Sequence, residues 1–575
     1  MSERSERADE HSSERSERAD EHSSERSERA DGREGHGGGQ WTGGEQIAEA
    51  LDVLGVRHVF TIASAHNLEI LRAIHRRGVT AVVGMRHEQG AVHAADAYAR
   101  AGGGLGVAVV STGPGTANAM GGLYEAAFAS SRVLLITNQV DSMYLDKGRG
   151  YVHEAPNQTD MLRQVCREVI LPRRAGDVGE AVLRLARDVL TGRPQPAALE
   201  VPVDFQSARG ARSPLRPYPV PADPVDGKQV AEAAAALTAA RRPLIWAGGG
   251  VVSAGASAEL VRLAEALGAP VVTSREGRGA IPEDHVLALG AFPTVAPLRD
   301  FVESADCVLA VGTRFQMYPT DCWTLKLPEN LIHLDVDPGV IGRSYPARLA
   351  LVGDARIGLA QLAERLPPRR PRDDDYLAEG REAYRRARER ISADMGPDHE
   401  AICAAIARHL PREAVVVRGT TVPSYVWGMR VLPALEPRTS IRPVAAGIGP
   451  GLPFAIGAAA ATGGPVVLLQ GDGGLMLSVG ELASAVQQRS RVIMCLFNDR
   501  GYGMLRDIIA RSGAGPAQDV DLATPDFVGL ATSFGAAAER VSSAAEFETA
   551  FAAAVGRDGP TVLEIDMSRL HPLRR

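Results

Sequence analysis

Residues 466–506 predict two parallel strands with polar loops at their carboxyl ends, and no other segment constrains the fold as strongly. A β-branched apolar run, 466–470, ends in Gly-Asp-Gly-Gly, and a helical pattern with apolar residues on one face follows. A second apolar run, 492–497, ends in Asn-Asp-Arg-Gly. A strand, a helix and a second strand in this order form neighbouring parallel strands. The carboxyl ends of such strands form the ligand-binding edge of an open α/β sheet.

The two loops at this edge carry groups that suit a metal ion and a phosphate. Asp472 lies in the first loop and Asp499 in the second, so their carboxylates are expected to converge. Gly471, Gly473 and Gly474 allow backbone N–H groups to face phosphate oxygens. Carboxylate and carbonyl oxygens are the ligands of a Mg²⁺ ion that also coordinates a diphosphate. The alternative is an ordinary βαβ unit with polar loops, but the two motifs rarely coincide at this spacing.

This spacing resembles the signature of thiamine-diphosphate (ThDP) enzymes, in which Gly-Asp-Gly is followed about 25 residues later by Asn-Asn or Asn-Asp. The resemblance implies that Asp472, Asp499 and the backbone oxygen of Gly501 bind Mg²⁺. Asp499 departs from the commoner asparagine; it keeps an oxygen ligand and adds a negative charge that a divalent cation can offset. The cofactor contacts implied here are those of Gly471, Asp472, Gly473, Gly474, Asn498, Asp499, Tyr502, Gly503 and Met504.

Two further units of alternating strands and helices precede the metal motif, which implies parallel sheets. The first contains HEQGAVHAADAYAR and STGPGTANAMGGL, and the second contains LIHLDVDP. In the third, GIGPGLPFAIGA precedes the metal motif. These stretches resemble the acetolactate synthase, benzoylformate decarboxylase and pyruvate decarboxylase branch of ThDP enzymes over essentially all of residues 40–570. The resemblance implies an α/β fold of three doubly wound parallel-sheet domains, which are pyrimidine-binding, central nucleotide-fold and diphosphate-binding.

Composition and the resemblance set the expected domain boundaries. Residues 1–39 contain the repeat SERSERADEHS and a glycine-rich linker, and so polar a segment cannot bury enough surface to offset its ordering entropy. A disordered tail is therefore predicted there. The pyrimidine-binding domain is expected over 40–210, the central domain over 226–368 and the diphosphate-binding domain over 399–575. A charged linker or helix is expected over 369–398.

Three residues are predicted to act on the aminopyrimidine half of the cofactor. ThDP must lose the proton at thiazolium C2 to become a nucleophile, and its own 4′-imino group is the base. In the family a glutamate exchanges a proton with ring N1′, and Glu88 in HEQGA matches it. A glutamate in the first turn of a helix is also favoured by the helix dipole alone. Ile448 matches the apolar residue beneath the bent cofactor, and the Ala446 carbonyl would accept from the 4′-amino group.

The substrate side is less constrained by the sequence. Benzoylformate decarboxylases carry a serine and a histidine where this chain has Ala65 and Ser111, which argues against that substrate and that proton relay. His66 follows a predicted strand end and is a candidate catalytic residue, with an ordinary structural histidine as the alternative. Gln139 stands where acetolactate synthases have a pocket glutamine, and Met504 would line the substrate side. The stretches IASAHNLEI and RGYVHEAPNQ resemble the guanidino-oxo-acid decarboxylase type.

The resemblance implies a ThDP- and Mg²⁺-dependent enzyme that decarboxylates a small 2-oxo acid without oxidation, through a C2 ylid and an enamine. The sequence after Gly503 favours this lyase activity. An acetolactate-synthase-like carboligase, a transferase, is the alternative, and a flavin-dependent 2-oxo acid oxidase is a third. FAD in the central domain is allowed by the resemblance but supported by no residue of this sequence. A homodimer or homotetramer with active sites between subunits is also implied.

Composition argues against several other classes. The net charge is −7 and no basic cluster is interleaved with aromatic residues, so nucleic acid is not an expected partner. No apolar stretch reaches the roughly 18 residues that span a bilayer, so no membrane is expected. The five scattered cysteines form no CxxC pair, which predicts neither a disulfide framework nor a zinc site. The expected compartment is the reducing cytoplasm.

Overall fold

The computed structural model describes residues 40–211, 214–367, 374–513, 515 and 518–574, and the predicted repeat tail lies outside them. Within these residues, three parallel sheets of six, five and six strands follow one another along the chain, with helices between the strands. The predicted α/β class with three parallel-sheet units is therefore confirmed.

The first unit contains a six-stranded parallel sheet. Its strands and helices, in chain order, are β1 (Gln40–Thr42), α1 (Gly43–Val53), β2 (His58–Thr61), α2 (Leu68–Arg77), β3 (Ala81–Gly84), α3 (Glu88–Gly102), β4 (Gly106–Val109), α4 (Pro114–Ala129), β5 (Val133–Gln139), α5 (Gln158–Arg163), β6 (Glu168–Ile170), α6 (Val178–Leu190), β7 (Ala197–Pro202), α7 (Val203–Ser207) and β8 (Arg209–Ala211). The sheet order is β3-β2-β4-β5-β7-β6, and β1 and β8 form a separate antiparallel pair.

Both faces of this sheet are covered by helices. Side chains of a strand alternate between faces, so neighbouring residues of β4 pack in opposite directions. Val107 and Val109 belong to an apolar cluster shared with helices α1, α2 and α6. Ala108 belongs to a second cluster shared with helices α3 and α4. A parallel sheet buried on both faces is the doubly wound arrangement that the sequence predicted.

The second unit contains a five-stranded parallel sheet in the order β10-β9-β11-β12-β13. Its elements are α8 (Gly227–Ala239), β9 (Pro243–Ala247), α9 (Gly249–Ala254), α10 (Ser257–Leu267), β10 (Val271–Thr273), α11 (Ala296–Glu303), β11 (Cys307–Val311), β12 (Leu331–Asp335), β13 (Leu349–Val352) and α12 (Ala355–Arg365). The stretch LIHLDVDP therefore contributes β12, one of the strands that the sequence pattern predicted.

A long helix, α13 (Asp374–His409), follows the second unit and covers the described part of the expected linker. It changes direction at Gly396, where φ is 71°, immediately before Pro397. The helix packs on α11 of the second unit, and Ile402 and Ile406 join an apolar cluster that also contains strand residues of the third unit.

The third unit contains the metal motif within a six-stranded parallel sheet. Its elements are β14 (Val415–Arg418), β15 (Ser440–Ile441), α14 (Gly451–Thr462), β16 (Val466–Gly471), α15 (Asp472–Met476), α16 (Glu481–Gln487), β17 (Val492–Asn498), α17 (Gly503–Ser512), α18 (Phe527–Phe534), β18 (Ala537–Val541), α19 (Ala544–Val555) and β19 (Thr561–Asp566). The sheet order is β15-β14-β16-β17-β19-β18. Strands β16 and β17 pair in parallel with Val466 opposite Val492, as the sequence predicted.

The first and third units share a core through α3 and α14. Apolar residues of both helices, including Val92 and Phe454, belong to one buried cluster that also contains residues of both sheets. A Cβ atom at Gly457 would clash with the carbonyl of Ala94, so glycine allows the two helices to approach closely. This contact places the start of α3 in a fixed relation to the metal-motif sheet of the same chain.

No helix among the residues described here combines the length and the hydropathy needed to cross a membrane.

Candidate active site

Asp472 and Asp499 lie at the carboxyl ends of the neighbouring strands β16 and β17. Asp472 is the first residue of α15 and is 1% exposed. The backbone N–H of Gly501 donates to Asp472 Oδ2 at 2.8 Å, which ties the second loop to the first. A Cβ atom at Gly503 would clash with Asp499 Oδ2, so glycine at this position leaves room for the carboxylate.

The electrostatics of this acidic pair suit a cation. The pKa of Asp472 is raised to about 6, first by burial and second by the negative charge of nearby Asp499. Two carboxylates that repel one another are both favoured in the charged form by a divalent ion between them. In the described part of the chain, no group of three or more His, Cys, Asp or Glu residues could hold a metal ion. A metal here would therefore need backbone or cofactor oxygens in addition to the two carboxylates.

The second loop contains two consecutive residues with positive φ. Arg500 has a φ of 57° and Gly501 a φ of 157°. Asn498 stabilises this turn, since its Oδ1 accepts from the Arg500 N–H at 3.1 Å and its Nδ2 donates to Glu564 Oε1 at 2.8 Å. Both polar ends of Asn498 are thus used within the protein. A cofactor contact for Asn498 would use its backbone, the second N–H of Nδ2 or the second lone pair of Oδ1.

The turn before α14 holds the residues predicted to support the cofactor's bend. Ala446 has a φ of 61° and Gly449 a φ of 104°, and the two residues between them are exposed. Thr420 Oγ1 donates to the Gly447 carbonyl at 2.8 Å and fixes this turn. Ile448 is 41% exposed, so it is not a core residue of the chain by itself. Other exposed apolar side chains of the third unit are Met476, Leu477, Leu505 and Ile508.

Glu88 is the first residue of α3, as the sequence predicted for a helix-opening position. Asn118 Nδ2 of α4 donates to Glu88 Oε2 at 3.0 Å. A Cβ atom at Gly115 would lie 3.3 Å from Glu88 Oε1 and 3.0 Å from Ser111 Cβ. The Glu88 carboxylate and the Ser111 side chain therefore both lie next to Gly115. Glu88 and Asp472 make their hydrogen bonds in separate groups, the first with α4 and the second with the Gly501 loop.

His66 belongs to a polar cluster that the sequence did not predict. Ser111 Oγ lies 3.2 Å from His66 Nδ1 and 3.4 Å from His153 Nδ1, and the two imidazole rings are 4.7 Å apart. Burial lowers the pKa of His66, and the neighbouring His153 lowers it further, whereas Asp141 acts in the opposite direction. The sequence did not predict a role for His153, because it lies in a loop 42 residues from Ser111 and no local pattern connects the two.

The loop that carries His153 is anchored by buried hydrogen bonds. Gln158 Oε1 accepts from the Gly113 N–H at 2.8 Å, and Gln158 Nε2 donates to Glu200 Oε1 at 2.8 Å. Gln139 Nε2 donates to the same carboxylate oxygen at 2.9 Å and is buried. Gln139, which the resemblance to acetolactate synthases places in the substrate pocket, thus points into this buried network.

Comparisons with known proteins agree with this architecture. Three family models match: the N-terminal TPP binding domain of thiamine pyrophosphate enzymes over residues 41–161, the central domain over 230–362 and the C-terminal TPP binding domain over 422–565. The "Probable 2-ketoarginine decarboxylase AruI" of Pseudomonas aeruginosa is 35% identical over 91% of this chain and 94% of its own length. A "Probable acetolactate synthase large subunit" of Methanocaldococcus jannaschii is 30% identical over 91% of both chains. The "Acetolactate synthase isozyme 3 large subunit" of Escherichia coli is 30% identical over 88% and 91%.

Proposed function

We propose that this chain, which belongs to the thiamine pyrophosphate enzyme family, removes carbon dioxide from a small 2-oxo acid and releases the corresponding aldehyde. The observation that carries the proposal is the pair of carboxylates at Asp472 and Asp499, held together beside the Gly501 N–H at the ligand-binding edge of the third sheet. The family relationship favours ThDP as the cofactor, and the acidic pair favours Mg²⁺.

In this proposal the third unit holds the diphosphate end of the cofactor. Asp472, Asp499 and the Gly501 carbonyl would bind Mg²⁺, because hard oxygen ligands match that ion. The N–H groups at the start of α15 would face the phosphates. The remaining proposed contacts follow the loop and the first turn of α17: Gly471, Gly473, Gly474, Asn498, Tyr502, Gly503 and Met504.

The aminopyrimidine end is proposed to meet Glu88, Ala446 and Ile448. When bound, the cofactor supplies a nucleophilic carbon that adds to the substrate carbonyl and accepts the electron pair left by carbon dioxide. Glu88 would hold and exchange a proton at ring nitrogen N1′. The Ala446 carbonyl would accept from the 4′-amino group, and Ile448 would support the bend from below.

His66 is proposed to move a proton on the substrate side. The carbon that loses carbon dioxide must gain a proton before the aldehyde leaves, and an imidazole can take up a proton and pass it on near neutral pH. The lowered pKa of His66 makes its neutral form the resting form at that pH. The single proton of Ser111 Oγ can be donated to only one of the two Nδ1 atoms. For both contacts to be hydrogen bonds, at least one of the two neutral rings must therefore carry its proton on Nδ1 and donate it to Ser111 Oγ.

A second chain is proposed to complete the site, as a homodimer or homotetramer. Ile448, Met476, Leu477 and Leu505 expose apolar surface in the unit that would bind the diphosphate. Neighbouring exposed apolar side chains often mark a ligand or subunit contact. Glu88, which accepts a hydrogen bond from Asn118 of its own unit, would then serve a cofactor held by the other chain.

Carboligation is the second candidate, because several relatives with about 30% identity are described as acetolactate synthases. The 35% identity to a protein described as a probable 2-ketoarginine decarboxylase favours aldehyde release. A flavin-dependent oxidase is a third candidate and would need a flavin in the cavity of about 570 Å³ that Gly250, Gly312 and Asp335 help to line.

Product analysis separates these reactions. The purified chain, supplied with ThDP and Mg²⁺, is incubated with pyruvate, with 2-ketoarginine and with aromatic 2-oxo acids, and Asp472→Ala serves as the matched control. We expect carbon dioxide and aldehyde in equal amounts from at least one substrate, and neither from the control. Acetolactate as the main product would overturn aldehyde release in favour of carboligation, and hydrogen peroxide from a yellow protein would indicate an oxidase.

The role of His66 has its own test in a single turnover. His66→Asn should release carbon dioxide at the wild-type rate and aldehyde about 10²-fold more slowly, the usual scale of general acid catalysis. Ser111→Ala should show the same delay to a smaller degree. Simultaneous release of both products from His66→Asn would remove His66 from the proposed proton path.

A further inference from the structure

A buried glutamate of the third unit contacts the segment that immediately precedes Glu88. Glu481 is the first residue of α16 and is 2% exposed. Its Oε1 accepts from the Arg86 N–H at 3.1 Å and from the His87 N–H at 3.1 Å. Ser484 Oγ donates to Glu481 Oε2 at 2.7 Å. The carboxylate thus joins two backbone groups of the first unit to a helix of the third unit.

The surroundings of Glu481 are built for this contact. A Cβ atom at Gly90 would clash with Glu481 Oε1, so glycine in the first turn of α3 makes room for the carboxylate. The negative charge lies at the amino-terminal end of α3, where the helix dipole favours it. Burial raises the pKa of Glu481, and the N–H groups of Arg86 and His87 oppose that rise by favouring the charged form.

A second contact links the same helix to Arg86 through its side chain. Arg86 Nη2 donates to Gln487 Oε1 at 2.7 Å, at the other end of α16. Glu481 therefore holds the backbone of the segment, and Gln487 holds only the end of one long side chain that is exposed. These two residues of one helix form a matched pair for an experiment, since only one of them contacts the backbone next to Glu88.

We infer that Glu481 is a positioning residue for Glu88: it fixes the backbone at residues 86 and 87 so that the Glu88 carboxylate is presented in one orientation. The inference rests on the proposed role of Glu88. The residue before α3 leaves the helix geometry, and Glu481 provides an acceptor for two N–H groups that make no hydrogen bond within the helix. Because α16 follows the Asp472 helix directly, one short stretch of the third unit contains both a proposed metal ligand and the support of the proposed acid.

Substitutions of Glu481 separate positioning from general stability. Glu481→Gln keeps the Oε1 that accepts from the Arg86 and His87 N–H groups, and its Nε2 can donate to Ser484. It loses the charge and the second contact of the Arg86 N–H, which lies 3.2 Å from Oε2. Glu481→Asp keeps the charge but is one methylene too short to reach both N–H groups. Glu481→Ala removes the acceptor entirely. Gln487→Ala is the control, because it leaves the backbone contacts in place.

The first measurement is amide hydrogen exchange of the protein without cofactor, followed by mass spectrometry of a peptide that spans residues 84–90. We expect faster exchange in Glu481→Ala and Glu481→Asp, and wild-type exchange in Glu481→Gln and Gln487→Ala. Unchanged exchange in Glu481→Ala would overturn the inference, whatever the reaction of the enzyme is. If Glu481→Ala does not fold, the comparison of Glu481→Asp with Glu481→Gln decides the question in the same way.

The second measurement is proton exchange at C2 of bound ThDP, with ThDP affinity determined in parallel by calorimetry. A displacement of about 1 Å in a reacting group lowers rates by up to roughly 10²-fold, so Glu481→Asp should slow exchange about tenfold to a hundredfold. The dissociation constant of ThDP should change less than about threefold, and Glu481→Gln should stay near wild type. Wild-type exchange in Glu481→Asp, or slow exchange in Glu481→Gln equal to that in Glu481→Asp, would overturn the positioning role.

The same experiment distinguishes this inference from the proposed function. If Glu88→Gln exchanges C2–H at the wild-type rate, the proposed role of Glu88 fails and Glu481 has nothing to position. If Glu88→Gln is slow and Glu481→Asp is normal, only the role of Glu481 fails.

Discussion

Acidification below about pH 6 should release Mg²⁺ from this protein, and Asp499→Asn should move that loss to lower pH. A carboxylate must lose its proton before it can bind a metal ion. The pKa of Asp472 is raised to about 6, first by burial and second by the charge of Asp499. Below that value each pH unit should weaken Mg²⁺ binding about tenfold, because one proton must be displaced for every ion bound.

The variant changes two quantities in opposite directions. Asparagine at position 499 keeps an oxygen ligand but removes a charge, so Mg²⁺ should bind more weakly than to the wild type at pH 8. Removal of that charge also eliminates the second cause of the raised pKa of Asp472, and leaves burial opposed by the backbone N–H groups of Gly473 and Gly501. The midpoint of the acid loss should therefore fall below 6 in Asp499→Asn while staying above the ordinary aspartate value. The affinity ratio of the two proteins should shrink as the pH falls from 8 to 5.

Stability of the metal-free protein follows the same linkage with the opposite sign. Because the pKa of Asp472 is higher in the folded chain than in the unfolded one, the folded state binds the extra proton between the two values. Its contribution to stability is complete below the ordinary aspartate pKa and is lost as the pH rises through about 6. Added Mg²⁺ should therefore raise the melting temperature more at pH 7 than at pH 5.

Titration calorimetry of Mg²⁺ at saturating ThDP, between pH 5 and pH 8, measures these effects. Repetition in buffers of different ionisation enthalpy counts the protons released on binding. Wild-type affinity that stays constant from pH 5 to pH 8 would refute the assignment of Asp472 as a ligand that must deprotonate. An unchanged midpoint in Asp499→Asn would refute the coupling between the two carboxylates.

Three further outcomes are expected. Glu88→Gln should retain ThDP binding with a modest loss and slow C2–H exchange about 10² to 10⁴-fold, as measured by NMR after quench in D₂O; exchange at the wild-type rate would leave Glu88 as a helix-start residue only. Gly90→Ala should destabilise the protein by about 1–3 kcal/mol in denaturant titrations, because its Cβ would clash with Glu481 Oε1, and an unchanged midpoint would mean that the carboxylate moves away freely. Deletion of residues 2–38 should leave activity and melting temperature nearly unchanged, since so polar a repeat has little apolar surface to bury, and a fall of many degrees would contradict that.

Features with a local cause in the sequence could be predicted. The parallel pairing of β16 and β17 follows from two apolar runs joined by a helical pattern, and the structure confirms it. The helix that begins at Glu88 is also as predicted. The sequence did not predict that the Gly-Asp-Gly turn opens directly into α15 at Asp472, because glycine-rich turns have weak helical patterns of their own.

Contacts between distant segments could not be predicted, because no periodicity links their residues. Glu481 accepts from an N–H group 395 positions earlier in the chain. His153 meets Ser111 where buried Gln158 ties the end of that loop to the turn before α4. The roles of Glu88, Asp472 and the other site residues stay predictions, since family membership supports the cofactor but does not test each side chain.

Close packing of α3 on α14 gives the contact at Glu481 its physical significance. Glycine at position 457 lets the two helices touch at the backbone of Ala94, and their shared apolar cluster resists small shifts because a packed core has few alternative arrangements. The start of α3 is then held by the Glu481 carboxylate, which accepts from the N–H groups of Arg86 and His87. A helix fixed at its middle by packing and at its start by charge-assisted hydrogen bonds cannot rotate without breaking one of the two. The backbone at the start of α3 is therefore held by the third unit of its own chain, and Asn118 of the first unit holds the Glu88 carboxylate.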